Sequence, residues 1–290
     1  FFASLFAAVG PYDVVHIHAE GPAVFCWLPK LFGKRVVVTI HGLDWMREKW
    51  KGGFGSRFIR KGEEHAIKYA DEIIVLSKNM QRYFSERYNR TTCFIPNGIE
   101  RPKIIEQDLI RREYGLEKDK YILFLGRRVP EKGLTYLIDA FKNVDTDFKL
   151  VIAGGSSDTD TYTDQIKNMA KDDLRILFTG FVQGKVLEEL YSNAYVYVLP
   201  SDVEGMPLSL LEAMSYGNCC LVSDIKEITE VVEDKAVIFP KGNVNLLTKK
   251  LQFLCDNKSE VAQYKAQATE FICGKYNWNS VVNETVSLYY

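Results

Sequence analysis

Short runs of β-branched and aromatic residues alternate along this chain with longer stretches whose apolar positions recur every three to four residues. In the first half the pattern predicts strands at Val14–His18, Val36–Ile40, Glu72–Leu76 and Thr92–Ile95, with helices at Pro22–Phe32, Phe54–Ala70 and Lys78–Arg87. A charged stretch, Arg101–Lys120, carries a short helix at Asp108–Tyr114 and links to a second half that restarts the pattern. There, strands are expected at Tyr121–Leu125, Leu150–Ala153, Arg175–Thr179, Tyr195–Leu199, Cys219–Val222 and Ala236–Phe239. Helices fall between them at Leu134–Lys142, Thr161–Ala170, Lys185–Ser192, Leu208–Tyr216 and Ile225–Val232. Asn243–Cys255, Glu260–Ile272 and Asn279–Tyr290 follow as helices, the last with Asn279 or Ser280 as its N-cap. Strands apolar at every position, alternating with amphipathic helices, imply parallel sheets with right-handed crossovers. The fold class is therefore α/β, with two Rossmann-like doubly wound domains. The opening FFASLFAAVG reads as the tail of an amphipathic helix and lacks the basic region and cleavage signal of a secretory leader. Val14–His18 is then expected as an interior strand, and the first domain as incomplete.

The most informative stretch is Tyr195–Val222, a strand, loop, helix and strand in succession. Pro200 closes the strand, Gly205 and Pro207 punctuate the loop, Pro207 fits the first helical turn, and Gly217 suits a C-terminal cap. In an open α/β sheet such a loop lies at the carboxyl ends of the strands, where ligands bind. The helix N-terminus offers backbone N–H groups to a phosphate. Glu204 and Glu212 cannot serve that phosphate, but ionised carboxylates accept hydrogen bonds from sugar hydroxyls. The chemistry suggests a nucleotide-sugar. The same two residues fit equally a solvated loop acid and an ordinary helix-surface acid.

With 290 residues the chain has room for two domains, and a net charge of −1 gives no argument for nucleic acid. The six cysteines (Cys26, Cys93, Cys219, Cys220, Cys255, Cys273) show no metal-ligand spacing and read as reduced residues of a cytosolic protein. No apolar run reaches transmembrane length.

EGMPLSLLE, Glu204–Glu212, resembles the paired-glutamate motif of retaining glycosyltransferases of family 4, which have the GT-B fold. FLGRRVPEKG at Phe124–Gly133 is similar to a second segment of that family, and the likeness runs on through Thr39–Gly42 (TIHG), Ile95–Gly98 (IPNG) and the closing YNWNSVVNETVSLYY. The resemblance implies two domains facing across a cleft. An acceptor-side domain would span 1–104, a nucleotide-sugar domain 105–275, and a final helix, 276–290, would return to the first domain. It implies transfer of a sugar from a nucleotide-sugar to a hydroxyl of a glycan or lipid-linked acceptor, with retention, in cell-surface polysaccharide or glycolipid biosynthesis. Arg127 and Lys132 would hold the diphosphate, with Arg127 preferred to Arg128. Glu212 would meet the ribose and Glu204 the donor-sugar hydroxyls. Backbone at Gly205, Met206, Pro207, Leu208 and Ser209 would assist at the helix end, and Val182 would lie at the base; on the residues alone, Gly126 and Gly154 at strand ends let a ligand approach the backbone, and a plain tight turn fits Gly154 and Val182 equally. His41 would stand near the transferred sugar, and Glu20 with it on the acceptor side. Neither a metal nor a cofactor beyond the donor is implied. A sugar-nucleotide epimerase, a phosphorylase or a non-catalytic nucleotide-sugar-binding module shares these features.

Other chemistry-bearing residues carry less. His16 and His18 alternate along a strand and are expected on opposite faces, without a further ligand cluster for a metal. His65 sits in a helix without evident chemistry. Trp45–Lys61 interleaves basic residues with Trp45, Trp50, Phe54 and Phe58, which suits peripheral contact with the inner face of a membrane and, equally, an exposed loop with a solvated helix face. Gly53-Phe54-Gly55 lacks the preceding strand of a dinucleotide site. Asp145-Thr146-Asp147 and Asp158-Thr159-Asp160 read as solvated turns.

Overall fold

The computed structural model describes residues 1–46, 53–156 and 160–290. In chain order its elements begin with α1 (Phe2–Val9), β1 (Val14–His18), α2 (Glu20–Ala23), α3 (Trp27–Leu31), β2 (Arg35–Ile40), α4 (Gly53–Tyr69), β3 (Glu72–Val75), α5 (Lys78–Tyr88) and β4 (Cys93–Phe94). They continue with α6 (Leu109–Tyr114), β5 (Tyr121–Leu125), α7 (Leu134–Lys142), β6 (Lys149–Ala153), α8 (Asp160–Ala170), β7 (Ile176–Gly180), α9 (Gly184–Asn193), β8 (Val196–Leu199) and α10 (Leu208–Ser215). The last are β9 (Cys219–Ser223), α11 (Lys226–Val232), β10 (Val237–Phe239), α12 (Val244–Asp256), α13 (Lys258–Lys275) and α14 (Trp278–Ser287). The chain divides into two compact units, one of Phe1–Gly98, Glu204–Met206 and Trp278–Tyr290, the other of Ile99–Val203 and Pro207–Asn277.

The first unit holds a parallel sheet in the order β1-β2-β3-β4. Side chains alternate across it. Val36, Val38 and Ile40 pack with Ile17, Ile73 and Val75 under the residues Ala23, Cys26, Ala66 and Phe84 of the helical layer. Val37 and Ile74 face the other way, where Val281 of α14, with Leu288 and Tyr289 beyond it, packs against them. Both faces of β2 are thus covered, which is why its sequence is apolar at nearly every position. β1, expected inside the sheet, stands at its edge among the described residues and is only half-buried, because it pairs with β2 alone.

The second unit holds six parallel strands in the order β10-β9-β8-β5-β6-β7. The order reverses between β5 and β8, and this is the topological switch point of a doubly wound sheet. Two of its buried tyrosines pair their hydroxyls with backbone, Tyr121 donating to Leu190 O (2.7 Å) and Tyr195 to Leu254 O (2.7 Å).

Two further expectations change. The helix foreseen at Pro22–Phe32 is two short helices, α2 and α3. Pro29 has no N–H for the carbonyl of Phe25, which instead accepts from Leu28 N (3.1 Å) in a tighter turn. α14 starts at Trp278, before both caps proposed for it.

Candidate functional site

In the second unit, loops after β5 and β8 leave the sheet at neighbouring strands and turn to different helices, opening a crevice at the carboxyl ends. They are tied together there. Asp202 N donates to Glu131 O (2.8 Å), and the Tyr136 hydroxyl donates to Asp202 Oδ2 (3.1 Å). The β5 loop carries Gly126, Arg127 and Lys132. Arg127 is exposed and Lys132 half-buried, at the end of a single 3₁₀ turn, Pro130–Lys132. Arg128 points inward and is 9% exposed, with its backbone N–H on Gly155 O (3.0 Å).

A third strand end joins them. Gly126 N donates to Ala153 O (3.1 Å) and Gly154 N to Gly180 O (2.8 Å). Gly154 adopts φ +128°, and a Cβ on it would lie 2.0 Å from Gly126 O. The β7 loop then presents Val182, half-buried, beside Phe181, which is 74% exposed.

From the other side comes α10. Pro207 is its extended N-cap rather than its first helical residue, so the helix begins at Leu208. The N–H groups of Leu208 and Ser209 lie in the first turn, where the helix itself offers no acceptor. Glu212, one turn on, accepts a hydrogen bond from the Tyr191 hydroxyl at Oε2 (2.8 Å). Burial raises its pKa, and the Tyr191 bond partly offsets the shift. Tyr197 donates to Ser209 Oγ (2.8 Å). Two tyrosines from α9 and β8 therefore orient the helix end. Tyr197 has a signal in the sequence, since a tyrosine in an otherwise apolar strand must find a partner for its hydroxyl.

The remaining candidates belong to the first unit. His41 follows β2, and its Nε2 lies 3.1 Å from His18 Nδ1. Segment Glu204–Met206 packs beside it: a Cβ on Gly205 would lie 1.7 Å from His41 O, and Asn97 Nδ2 donates to Met206 O (3.1 Å). Glu204 is half-buried. Glu20, foreseen on the acceptor side, is an enclosed residue of the first unit. It opens α2 and is fully buried, with Oε2 accepting from Asp44 N (2.9 Å). Burial, then the neighbouring Glu63 carboxylate, raises its pKa to about 9. Glu63 in turn accepts from Tyr83 (2.8 Å), Tyr88 and Trp45 Nε1 (3.1 Å).

His16 and His18 are not on opposite faces. Residues two apart in a strand share a face, and their rings stack with centroids 4.3 Å apart. His65 is held inside the fold, where its Nδ1 donates to Val24 O (2.6 Å). Within Trp45–Lys61, Trp45 is held by Glu63 and by Arg60 over its ring (4.5 Å), whereas Phe54 is 83% exposed. Arg47–Gly52, with Trp50, lie outside the described residues. Asp145 and Asp147 are exposed in a turn, and Asp158 and Thr159 lie outside the described residues. The six cysteines are unpaired, and burial pushes the Cys26 and Cys219 thiols up to about 12. Among the described residues no cluster of three or more His, Cys, Asp or Glu could hold a metal, and no helix is long and apolar enough to cross a membrane.

Comparison with known proteins places this geometry. A family model described as glycosyl transferases group 1 matches residues 106–271, and one described as glycosyltransferase family 4 matches residues 2–101. An uncharacterised glycosyltransferase of Methanocaldococcus jannaschii is 28% identical over 97% of this chain and 76% of its own length. The alpha-D-kanosaminyltransferase of Streptomyces kanamyceticus is 22% identical over 95% of this chain and 76% of its own. Among solved structures, HepE of Anabaena in complex with UDP and glucose superposes with a TM-score of 0.86 at 17% identity, covering 99% of this chain and 80% of that one. Sucrose-phosphate synthase of Thermosynechococcus elongatus gives 0.79 at 21%, covering 98% and 74%.

Proposed function

The chain belongs to the glycosyl transferases of group 1, of family 4 type and GT-B fold, and from that premise we propose that it transfers a sugar from a nucleotide-sugar to a hydroxyl acceptor with retention at the anomeric carbon. The observation that carries this reading is the switch-point crevice of the second unit. There a loop bearing Arg127 and Lys132 lies beside the N-terminus of α10, with Glu212 one turn inside it. A diphosphate fits between the two cations and the unbonded N–H groups of the helix end. Glu212, already oriented by Tyr191, accepts from the ribose hydroxyls. Val182 lies along the base, and Gly126 and Gly154 let the nucleotide close on the backbone. HepE of Anabaena, solved with UDP and glucose, supports this choice of donor class.

In this reading the negative charge developing on the leaving diphosphate is met by Arg127, Lys132 and the helix end, so the reaction needs no metal. Glu204 holds donor-sugar hydroxyls, and His41 lies at the transferred sugar on the acceptor side. The departing phosphate takes the acceptor proton on the face it leaves, which preserves configuration. The acceptor is a glycan or a lipid-linked sugar of a cell-surface polymer or glycolipid, and the work is done in the cytoplasm at the inner membrane face.

Ligand-observed NMR against UDP-, GDP-, ADP- and dTDP-sugars, with Lys132→Ala as the control, tests the donor site. Saturation transfer to one nucleotide, lost in the variant, is expected. Equal transfer to wild type and variant would remove Lys132 from the site, and a product of inverted configuration would remove the mechanism.

A further inference from the structure

Three imidazoles form a row on the α14 side of the first unit's sheet. The pairing of β1 with β2 sets His16 beside Val37 and His18 beside Thr39, so His16, His18, Thr39 and His41 share one face. His18 Nδ1 meets His41 Nε2 at 3.1 Å, with the ring planes 26° apart and the centroids 5.3 Å apart. Rings so nearly coplanar that meet through their edges have an N–H and a lone pair in line, which is the geometry of a hydrogen bond. A metal held by both would need the two lone pairs to converge from the side. One ring must donate and the other accept, so the two tautomers are locked to each other.

His16 is clamped. Its Nε2 lies 2.7 Å from Thr39 Oγ1 and its Nδ1 2.8 Å from the Tyr289 hydroxyl. With both nitrogens engaged, it offers His18 only its ring face, at 4.3 Å and 25°. Burial, then the neighbouring His18 and His41, lowers the His16 pKa to about 4, so the platform under His18 is a neutral ring at physiological pH.

We propose that His18 is a positioning residue for His41, fixing its tautomer and ring plane through Nδ1, while His16, clamped by Thr39 and Tyr289, holds His18 in place. This rests on the reading of His41 as the group at the transferred sugar. A residue just beyond the terminal helix, Tyr289, thereby contributes to the geometry of the reaction without touching substrate.

The test is the long-range ¹H–¹⁵N spectrum of histidine-labelled protein in three forms: wild type, His18→Phe and His18→Asn. Phenylalanine keeps the stack on His16 but has no ring nitrogen. Asparagine places an amide where Nδ1 stood. A single His41 tautomer is expected in wild type, an averaged pair of ¹⁵N shifts in His18→Phe, and recovery in His18→Asn. In turnover, kcat should fall about tenfold in His18→Phe with the donor KM unchanged, and return in His18→Asn. Identical His41 shifts in wild type and His18→Phe would overturn the positioning role. Altered shifts with unaltered kcat would instead overturn the placement of His41 at the sugar.

Discussion

Replacing Gly154 with alanine probes how tightly the loops after β5 and β6 are held together. Gly154 sits at φ +128°, where an added Cβ would lie 2.0 Å from the oxygen and 2.8 Å from the carbon of the Gly126 carbonyl. The backbone conformation alone costs an L-residue roughly 1–3 kcal/mol. The contact is with backbone, so no side chain can rotate out of the way. Relief requires opening the bonds Gly126 N to Ala153 O (3.1 Å) or Gly154 N to Gly180 O (2.8 Å), at about 1 kcal/mol for each lost. A total of about 2–5 kcal/mol follows. The adjacent Gly155 is the control, since its Cβ would meet only the Phe181 side chain at 3.9 Å. Gly155→Ala should be neutral or stabilise by about 0.4–1 kcal/mol through the unfolded chain.

The assay follows from where the chromophores lie. All four tryptophans (Trp27, Trp45, Trp50 and Trp278) belong by sequence position to the first unit. Tryptophan fluorescence therefore reports that unit, and far-UV circular dichroism reports both. With a urea m-value of about 2 kcal/mol/M, Gly154→Ala should move the dichroism transition of the second unit down by roughly 1–2.5 M. The fluorescence transition should stay in place. Equal midpoints for Gly154→Ala and Gly155→Ala would refute the reasoning.

Tyr191→Phe removes the donor to Glu212 Oε2. A nucleotide-sugar titrated calorimetrically should bind about tenfold more weakly, and unchanged affinity would mean that Glu212 is not oriented by that bond. Glu20 has a folded pKa of about 9 against 4.5, so its contribution to stability is complete below 4.5 and is lost as the pH rises towards 9. Glu20→Gln should flatten the fluorescence-detected stability of the first unit across that window, and a curve parallel to wild type would contradict the buried neutral carboxyl. His16 runs the other way: its pKa falls from 6.5 to about 4, so its contribution is complete above 6.5 and is lost as the pH drops to 4. His16→Phe should remove that acid-side slope while lowering stability at neutral pH through two lost hydrogen bonds, which urea melts at pH 7 and pH 5 would show.

Much of this protein is local and can be read along the chain. β5, β8 and β9 were foreseen to within a residue because strands buried on both faces must be apolar at every position. Asn243 was legible as the start of α12, whose N-cap side chain accepts from Leu246 N (3.0 Å), because capping is chemistry between near neighbours. Gly154 was legible as a strand-end glycine, but that the Gly126 carbonyl of the chain itself closes on it was not. Pro29 is likewise a local signal, for the break between α2 and α3, and it prevails over the apolar period around it.

What the sequence could not determine is which strand lies beside which, because pairing depends on contacts between residues far apart in the chain. Only the tertiary order put β5 between β6 and β8 and so brought Arg127 and Lys132 to the same crevice as α10. Only the register of β1 on β2, with the terminal segment laid over one face, assembled His16, His18, His41 and Tyr289 from positions up to 273 residues apart. Burial is likewise a property of the folded whole. Nothing in the sequence marks the acid at position 20 as buried, and it becomes a neutral, enclosed one because α4 and Glu63 close over it.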